Sequence, residues 1–205
     1  MNKKSQFDFR QQIAGYDCAP TAFINALIYL FKRKEIPIDV VQGIYKNTLN
    51  GKIDFGSTSD DIKNVADFLK GYRCRKDGWN FAVDIDHQVG KKADFRRIDL
   101  ESNNVCCVLW VKIARGYGHY ITAFYEKDGY IYCYDPYLEK EDERINWCLK
   151  KMKNGCNLKI KKDYLFAKKD KGMYRTGSEY REYILINYPA LKVQGFVCRM
   201  RMGRE

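Results

Sequence analysis

Gln12-Ile13-Ala14-Gly15-Tyr16-Asp17-Cys18-Ala19-Pro20-Thr21-Ala22-Phe23 reads as a loop that ends on a cysteine and runs at once into a helix. Phe23, Ala26, Leu27, Leu30 and Phe31 recur at i, i+3, i+4 spacing, which is one apolar helix face. Cys18 therefore stands at a helix start, where unsatisfied N–H groups and the positive end of the macrodipole favour a thiolate over a thiol. Pro20 fits the first turn, where its missing N–H costs nothing. Gln12, six residues upstream, is a candidate donor to an oxyanion that develops beside the sulfur. A cysteine alone is more often a small buried hydrophobe. Nucleophilic chemistry needs a base as well.

The chain holds two histidines, His87 and His119. His119 opens an apolar stretch immediately after Gly118, a position where a missing side chain would admit a substrate backbone. His119 lies nine residues before the turn signal Asp128-Gly129, and Asp135 six residues after it. A hairpin folded at that turn brings the two within a few residues of register. Asp135 would then hold one ring nitrogen and leave the other to take the Cys18 proton, the division of labour found in cysteine hydrolases. His87, in Asp84-Ile85-Asp86-His87-Gln88, adjoins acids and reads as a surface or loop histidine. Tyr16 and Asp17 read as cleft walls, and an unshielded Asp17 would oppose thiolate formation.

The elements that must position these residues fall into two halves. After the Cys18 helix, Val40, Val41, Ile44, Tyr45 and Leu49 predict a second helix ended by Asn50-Gly51. Gly56-Ser57-Thr58-Ser59-Asp60-Asp61 is a capped entry to a third, carrying Ile62, Val65, Ala66 and Leu69 and stopping at Gly71. Between residues 72 and 100 the pattern is weak, with a short strand over 81–85 and a helix or loop over 91–98. From 105 the signal changes to strands over 105–113, 119–125 and 130–134, then 183–187 and 193–198, with a basic amphipathic helix over 141–154. Cys106 and Cys107 are expected on opposite faces of their strand, and Tyr120, Tyr132 and Tyr134 in sheet and core. The expected class is α+β, with N-terminal helices packed on an antiparallel β-sheet.

Composition bounds the rest. The 205 residues, 45% of them hydrophobic, suit a single domain spanning 1–205. The start lacks the apolar region of a secretory signal, and no run approaches the ~20 apolar residues of a membrane span. Eight cysteines show no CxxC pair and no zinc-ligand spacing, so reduced thiols in a cytoplasmic protein are expected, with no metal and no cofactor. The net charge of +11 is uneven: residues 141–205 carry 16 Lys/Arg against 8 Asp/Glu, or +8, and residues 1–140 carry 21 against 18, or +3. Lys159, Lys161, Lys162, Lys168, Lys169 and Lys171 read as solvated surface, with an acidic partner as the alternative and nucleic acid not expected.

Gln12-x5-Cys18-Ala19-Pro20-Thr21, then Gly118-His119-Tyr120, then Asp135-Pro136, resembles the C39-like branch of the papain-like cysteine peptidases. There the motifs read approximately Q-x5-C-G-P-[AST], G-H-[AYF] and D-P. The resemblance covers residues 12–137 and leaves 138–205 as a basic C-terminal extension of the same domain. It implies a papain-like fold, with Gln12 as oxyanion donor, Cys18 as nucleophile, His119 as base and acid, and Asp135 as orienting residue. Ala19 departs from the usual glycine and is expected to narrow the substrate site. Relatives that cut double-glycine leaders are often fused to an exporter, and without membrane segments a leader-peptidase role is not expected here. The expected activity is hydrolysis of a peptide or amide bond in a peptide or protein substrate. Its alternatives are an acyltransferase or transglutaminase-like enzyme using the same acyl-enzyme, and a non-catalytic binding protein with a basic surface.

Overall fold

A computed structural model describes residues 8–32, 36–49, 56–76, 79–95, 98–102, 104–113, 118–138, 155–168, 172–178 and 181–188. Three helices come first: α1 (Cys18–Phe31), α2 (Ile38–Thr48) and α3 (Ser59–Gly71). A two-stranded hairpin follows, β1 (Cys74–Lys76) with β2 (Trp79–Phe81), then β3 (Asp84–Val89), β4 (Val105–Lys112), β5 (Gly118–Lys127), β6 (Tyr130–Tyr134), β7 (Leu158–Lys161), the short helix α4 (Lys162–Leu165) and β8 (Glu182–Asn187). The class is α+β: β3-β8-β4-β5-β6-β7 form one sheet, antiparallel at every pairing. The expected strand over 81–85 is instead two strands, broken between Phe81 and Asp84. The described residues between 90 and 95 hold a 3-10 turn, Gly90–Lys92, and no α-helix. The helix expected over 141–154, the strand over 193–198 and the Asn50-Gly51 stop lie outside the described residues.

Two apolar clusters divide the core by sheet face. Cys106, Val108, Phe124, Ile184 and Ile186 pack with the helices. Cys107, Leu109, Ile121, Cys133, Leu158 and Ile160 pack beneath Phe95, Leu100, Leu165 and Tyr174. Cys106 and Cys107 thus split as strand alternation requires. Buried thirteen residues out of fourteen, α1 is apolar nearly all round because it lies between sheet and helices. Asn25, fully buried, grips the incoming chain by accepting from Arg10 N at 2.7 Å and donating to Arg10 O at 2.9 Å. Thr122 on β5 donates to Ala22 O at 2.9 Å and fixes the first turns of α1 against the strand that carries His119. The third helix opens with a capping box, Thr58 and Asp61 each satisfying the other's backbone N–H.

Two described segments beyond residue 138 are strands of this sheet. Leu158-Lys159-Ile160-Lys161 alternates apolar and charged and forms the edge strand β7, where lysines discourage pairing with another chain. Lys159 lies over the Tyr130 ring at 4.1 Å and Lys162 pairs with Glu126 at 2.6 Å, so the expected solvated lysine face is partly spent on local contacts. β8 sits inside the sheet, between the edge strand β3 and β4.

The β5–β6 hairpin turns at Asp128 and Gly129, whose φ values of 52° and 73° suit the two-residue turn that the sequence signals. Its register shifts between Ala123 and Tyr125, leaving Phe124 as the extra residue of a bulge. Phe124 is fully buried, stacked on Phe9 at 4.4 Å and near Tyr29 at 4.7 Å. Phe124→Ala is expected to lower stability by about 3–5 kcal/mol, read by urea unfolding; a loss under about 1 kcal/mol would show that the bulge does not rest on this ring.

Candidate active site

Cys18 is the first residue of α1, after the N-cap residue Asp17. The loop before it is wound by Asp17 itself, whose carboxylate accepts from the backbone N–H of Ile13 and of Ala14, each at 3.1 Å. Asp17 is 4% exposed, so it is a buried loop clasp rather than a cleft wall, and its charge is occupied by two amides. Tyr16 and Ile13 stand exposed on the same loop. Gln12 is tied across to the segment after Asp135, its N–H donating to Pro136 O at 3.0 Å. Its side-chain amide donates to Ala14 O at 2.8 Å, while Oε1 is buried without a hydrogen-bond partner among the described residues.

His119 and Asp135 meet as the hairpin argument requires, with Nε2 of His119 2.6 Å from Oδ1 of Asp135. The bulge decides this contact. Thr122 pairs with Tyr134, so the next step of the ladder sets Asp135 opposite Ile121, which alternation puts on the face of His119. Had the Lys127–Tyr130 register continued unbroken, Asp135 would stand opposite Thr122, on the other face.

Nε2 being taken by Asp135, Nδ1 is the nitrogen left to face Cys18, whose sulfur acts on the ring electrostatically. Both members of the pair are buried, His119 at 5% exposure and Asp135 at 1%. Burial pulls the imidazole pKa down, but the Asp135 carboxylate and the Cys18 sulfur outweigh it and raise His119 from 6.5 to about 10. Burial likewise pushes Asp135 up; hydrogen bonds from His119, Tyr174 and the Tyr137 N–H, with the His119 charge, hold it below its ordinary value. Oδ1 also accepts from Tyr137 N at 2.8 Å, and Oδ2 accepts from the Tyr174 hydroxyl. The Asp135 backbone is clamped by Asn157, which accepts from its N–H at 2.8 Å and donates to its carbonyl at 2.7 Å. Sequence reasoning missed Asn157, Tyr174 and Tyr137, because none is patterned relative to Asp135 along the chain.

A cavity of about 410 Å³ lies against the sulfur, lined by Cys18, Gly56, Ser57, Thr58, Trp110, Gly118 and Tyr120. The space expected above Gly118 is occupied: a Cβ there would fall 2.1 Å from Trp110 Nε1, so the missing side chain admits the indole. The hydroxyls of this wall turn inward, Ser57 to Thr48 O at 3.0 Å, Thr58 to Asp61 at 2.7 Å and Tyr120 to Glu182. Glu182 is fully buried and also accepts from Ser59 at 2.7 Å and lies 2.7 Å from His87 Nε2. Burial pushes Glu182 up, and His87, Tyr120 and Ser59 together hold it below its ordinary value. The expectation of a surface or loop His87 is therefore corrected. It sits on β3 with a side chain 13% exposed, because the buried carboxylate on the neighbouring strand needs a partner. Tyr120 and Tyr134 are buried, as expected of sheet and core residues.

A second cavity, about 490 Å³, includes Lys91, Phe95, Lys162, Phe166, Lys168 and Arg181. No cysteine or histidine lines it. Among the described residues no cluster could hold a metal ion, and no helix is long and apolar enough to cross a membrane.

No known family's sequence pattern and no curated protein matches this chain. Among solved structures, one similar to it is the peptidase domain of Streptococcus ComA, a bifunctional ABC transporter involved in a quorum-sensing pathway. The two are 13% identical and superpose with a TM-score of 0.46, over 88% of this chain and 98% of that one.

The His119–Asp135 pair makes stability pH-dependent. A raised histidine stabilises the fold fully below its ordinary 6.5, and that contribution is lost as pH rises through about 10. A depressed carboxylate stabilises above its ordinary 3.8 and loses its contribution as pH falls further. The stability difference between wild type and His119→Gln is therefore expected to be largest between about 3.8 and 6.5 and to shrink toward pH 10. Urea unfolding across that range checks it; a difference independent of pH would mean the pair is not charged in the folded protein.

Proposed function

We propose that this protein is a cysteine hydrolase of papain-like design that cleaves a peptide or amide bond. One observation carries the reading: a buried imidazole hydrogen-bonded to a buried carboxylate, with its charged form favoured by the sulfur that stands at a helix start. Proton transfer from sulfur to Nδ1 yields a thiolate beside an imidazolium, which Asp135 stabilises. The sulfur attacks the scissile carbonyl carbon, and the oxyanion is met by the Cys18 backbone N–H and by the second N–H of the Gln12 amide. His119 gives its proton to the leaving amine, the C–N bond breaks and an acyl-enzyme remains. Water then enters, gives a proton to His119 and attacks the thioester, which releases the acid and regenerates the thiol.

The cavity beside Cys18 receives the substrate, whose class is a peptide or protein, and the place of action is the cytoplasm. Acyl transfer to an amine would use the same residues with water excluded; no feature of the cavity favours it over hydrolysis.

Carbamidomethylation by iodoacetamide at neutral pH, mapped by peptide mass, tests the assembly. Burial pushes Cys106 and Cys107 far up and Cys156 to about 12, so these thiols are expected to stay silent while Cys18 labels. His119→Ala is expected to slow Cys18 labelling by about tenfold or more. Equal rates in the two proteins would exclude a working sulfur–imidazole pair. Cleavage of a peptide library by wild type and not by Cys18→Ala completes the test.

A further inference from the structure

Tyr174 is held in the left-handed backbone region, at φ 54°, where a bulky side chain is rarely found. Such a conformation costs on the order of 1–3 kcal/mol and persists only where surrounding structure fixes it. Here two backbone bonds fix it: Tyr174 N donates to Lys112 O at 2.7 Å, and Lys112 N donates to Arg175 O at 2.9 Å. The segment is thereby fastened to the end of β4, whose Lys112 pairs with Gly118 beside His119. The ring is 5% exposed and belongs to the apolar cluster on the sheet face away from α1, yet its hydroxyl reaches the carboxylate of Asp135.

We propose that Tyr174 is a positioning residue of the candidate site: its hydroxyl donates to Oδ2 of Asp135, keeping the carboxylate ionised and turning Oδ1 toward His119. The charged and titratable groups around Asp135 are His119, Cys18 through His119, Tyr134 and Tyr174 itself. Of these, Tyr174 is a neutral donor that favours the ionised carboxylate without competing for Oδ1. The residue therefore assigns a role to the chain beyond 138: it completes the pair that the first part of the chain supplies. This rests on the hydrolase reading for its purpose, but the hydrogen bond can be tested without any substrate.

The measurement uses the full chain with labelled histidine and follows the imidazole nitrogen shifts of His119, assigned by comparison with His87→Gln. Protonation of Asp135 appears as a low-pH step in those shifts. Tyr174→Phe keeps the ring and its packing and removes only the hydroxyl, so the step is expected to move to higher pH. A 3-fluorotyrosine placed at position 174 keeps the hydroxyl and makes it a stronger donor, so the step is expected to move the opposite way. Should Tyr174→Phe fail to fold, the fluorinated protein alone decides. A low-pH step unmoved by the fluorinated residue, or by Tyr174→Phe in a folded protein, would overturn the proposal and leave Tyr174 as packing. A moved step in a protein that never cleaves a peptide would keep the positioning role and defeat the hydrolase reading instead.

Discussion

A carboxylate removed from water must be given partners or it will take a proton, and the site depends on how Asp135 is given them. Its two oxygens accept from His119, the Tyr137 N–H and Tyr174, and its backbone is clamped on both sides by Asn157. Those groups come from three separate stretches of chain. Each is needed because Asp135 is 1% exposed and no solvent can substitute. Once the carboxylate is secured, it favours the charged form of the imidazole beside it against that ring's own burial, and the sulfur acts in the same direction.

Geometry reaches the sulfur through the packing of α1 on β5. The Thr122 hydroxyl bonded to Ala22 O sits three residues after His119 and four after Cys18, so one bolt sets the spacing of strand histidine and helix cysteine. Asn25 and Asp17 then tie the preceding loop down, which carries Gln12 to the Pro136 carbonyl. The far wall of the cavity is secured in the same currency. Glu182 gathers Ser59 of α3, His87 of β3 and Tyr120 of β5 around a second buried carboxylate, joining helix and sheet on either side of the cleft. Both carboxylates are paired with the chain's histidines, Asp135 with His119 across one hairpin and Glu182 with His87 across elements distant in sequence.

Local pattern alone made much of this legible. The apolar spacing after Cys18 specifies a helix that begins there; the β-branched run at 105–113 and the stretches around Asp128-Gly129 specify three strands and their turn. Capping residues before Ser59 specify the third helix. From those elements, Cys18, His119 and Asp135 could be placed at element ends, and two of the three within a few residues of register. The alternation at 158–161 was also present, but its lysines read as surface because an edge strand and a solvated charge run share that composition.

What tertiary structure decided was everything that depends on a one-residue choice or on chain far away. Nothing in Ala123-Phe124-Tyr125 marks a bulge; it forms because Phe124 gains burial against Phe9 and Tyr29, and that shift turns Asp135 to the face of His119. Trp110 filling the space over Gly118, β8 entering the sheet between β3 and β4, and Asn157 and Tyr174 closing on Asp135 follow equally from packing. The sequence by itself determined the helix that starts at Cys18, the strand of His119 and the turn between His119 and Asp135, since backbone periods and turn residues act over a few positions. Only the tertiary structure decided that they face one another, because a strand's face and a buried charge's partners are settled by contacts between segments that local order does not encode.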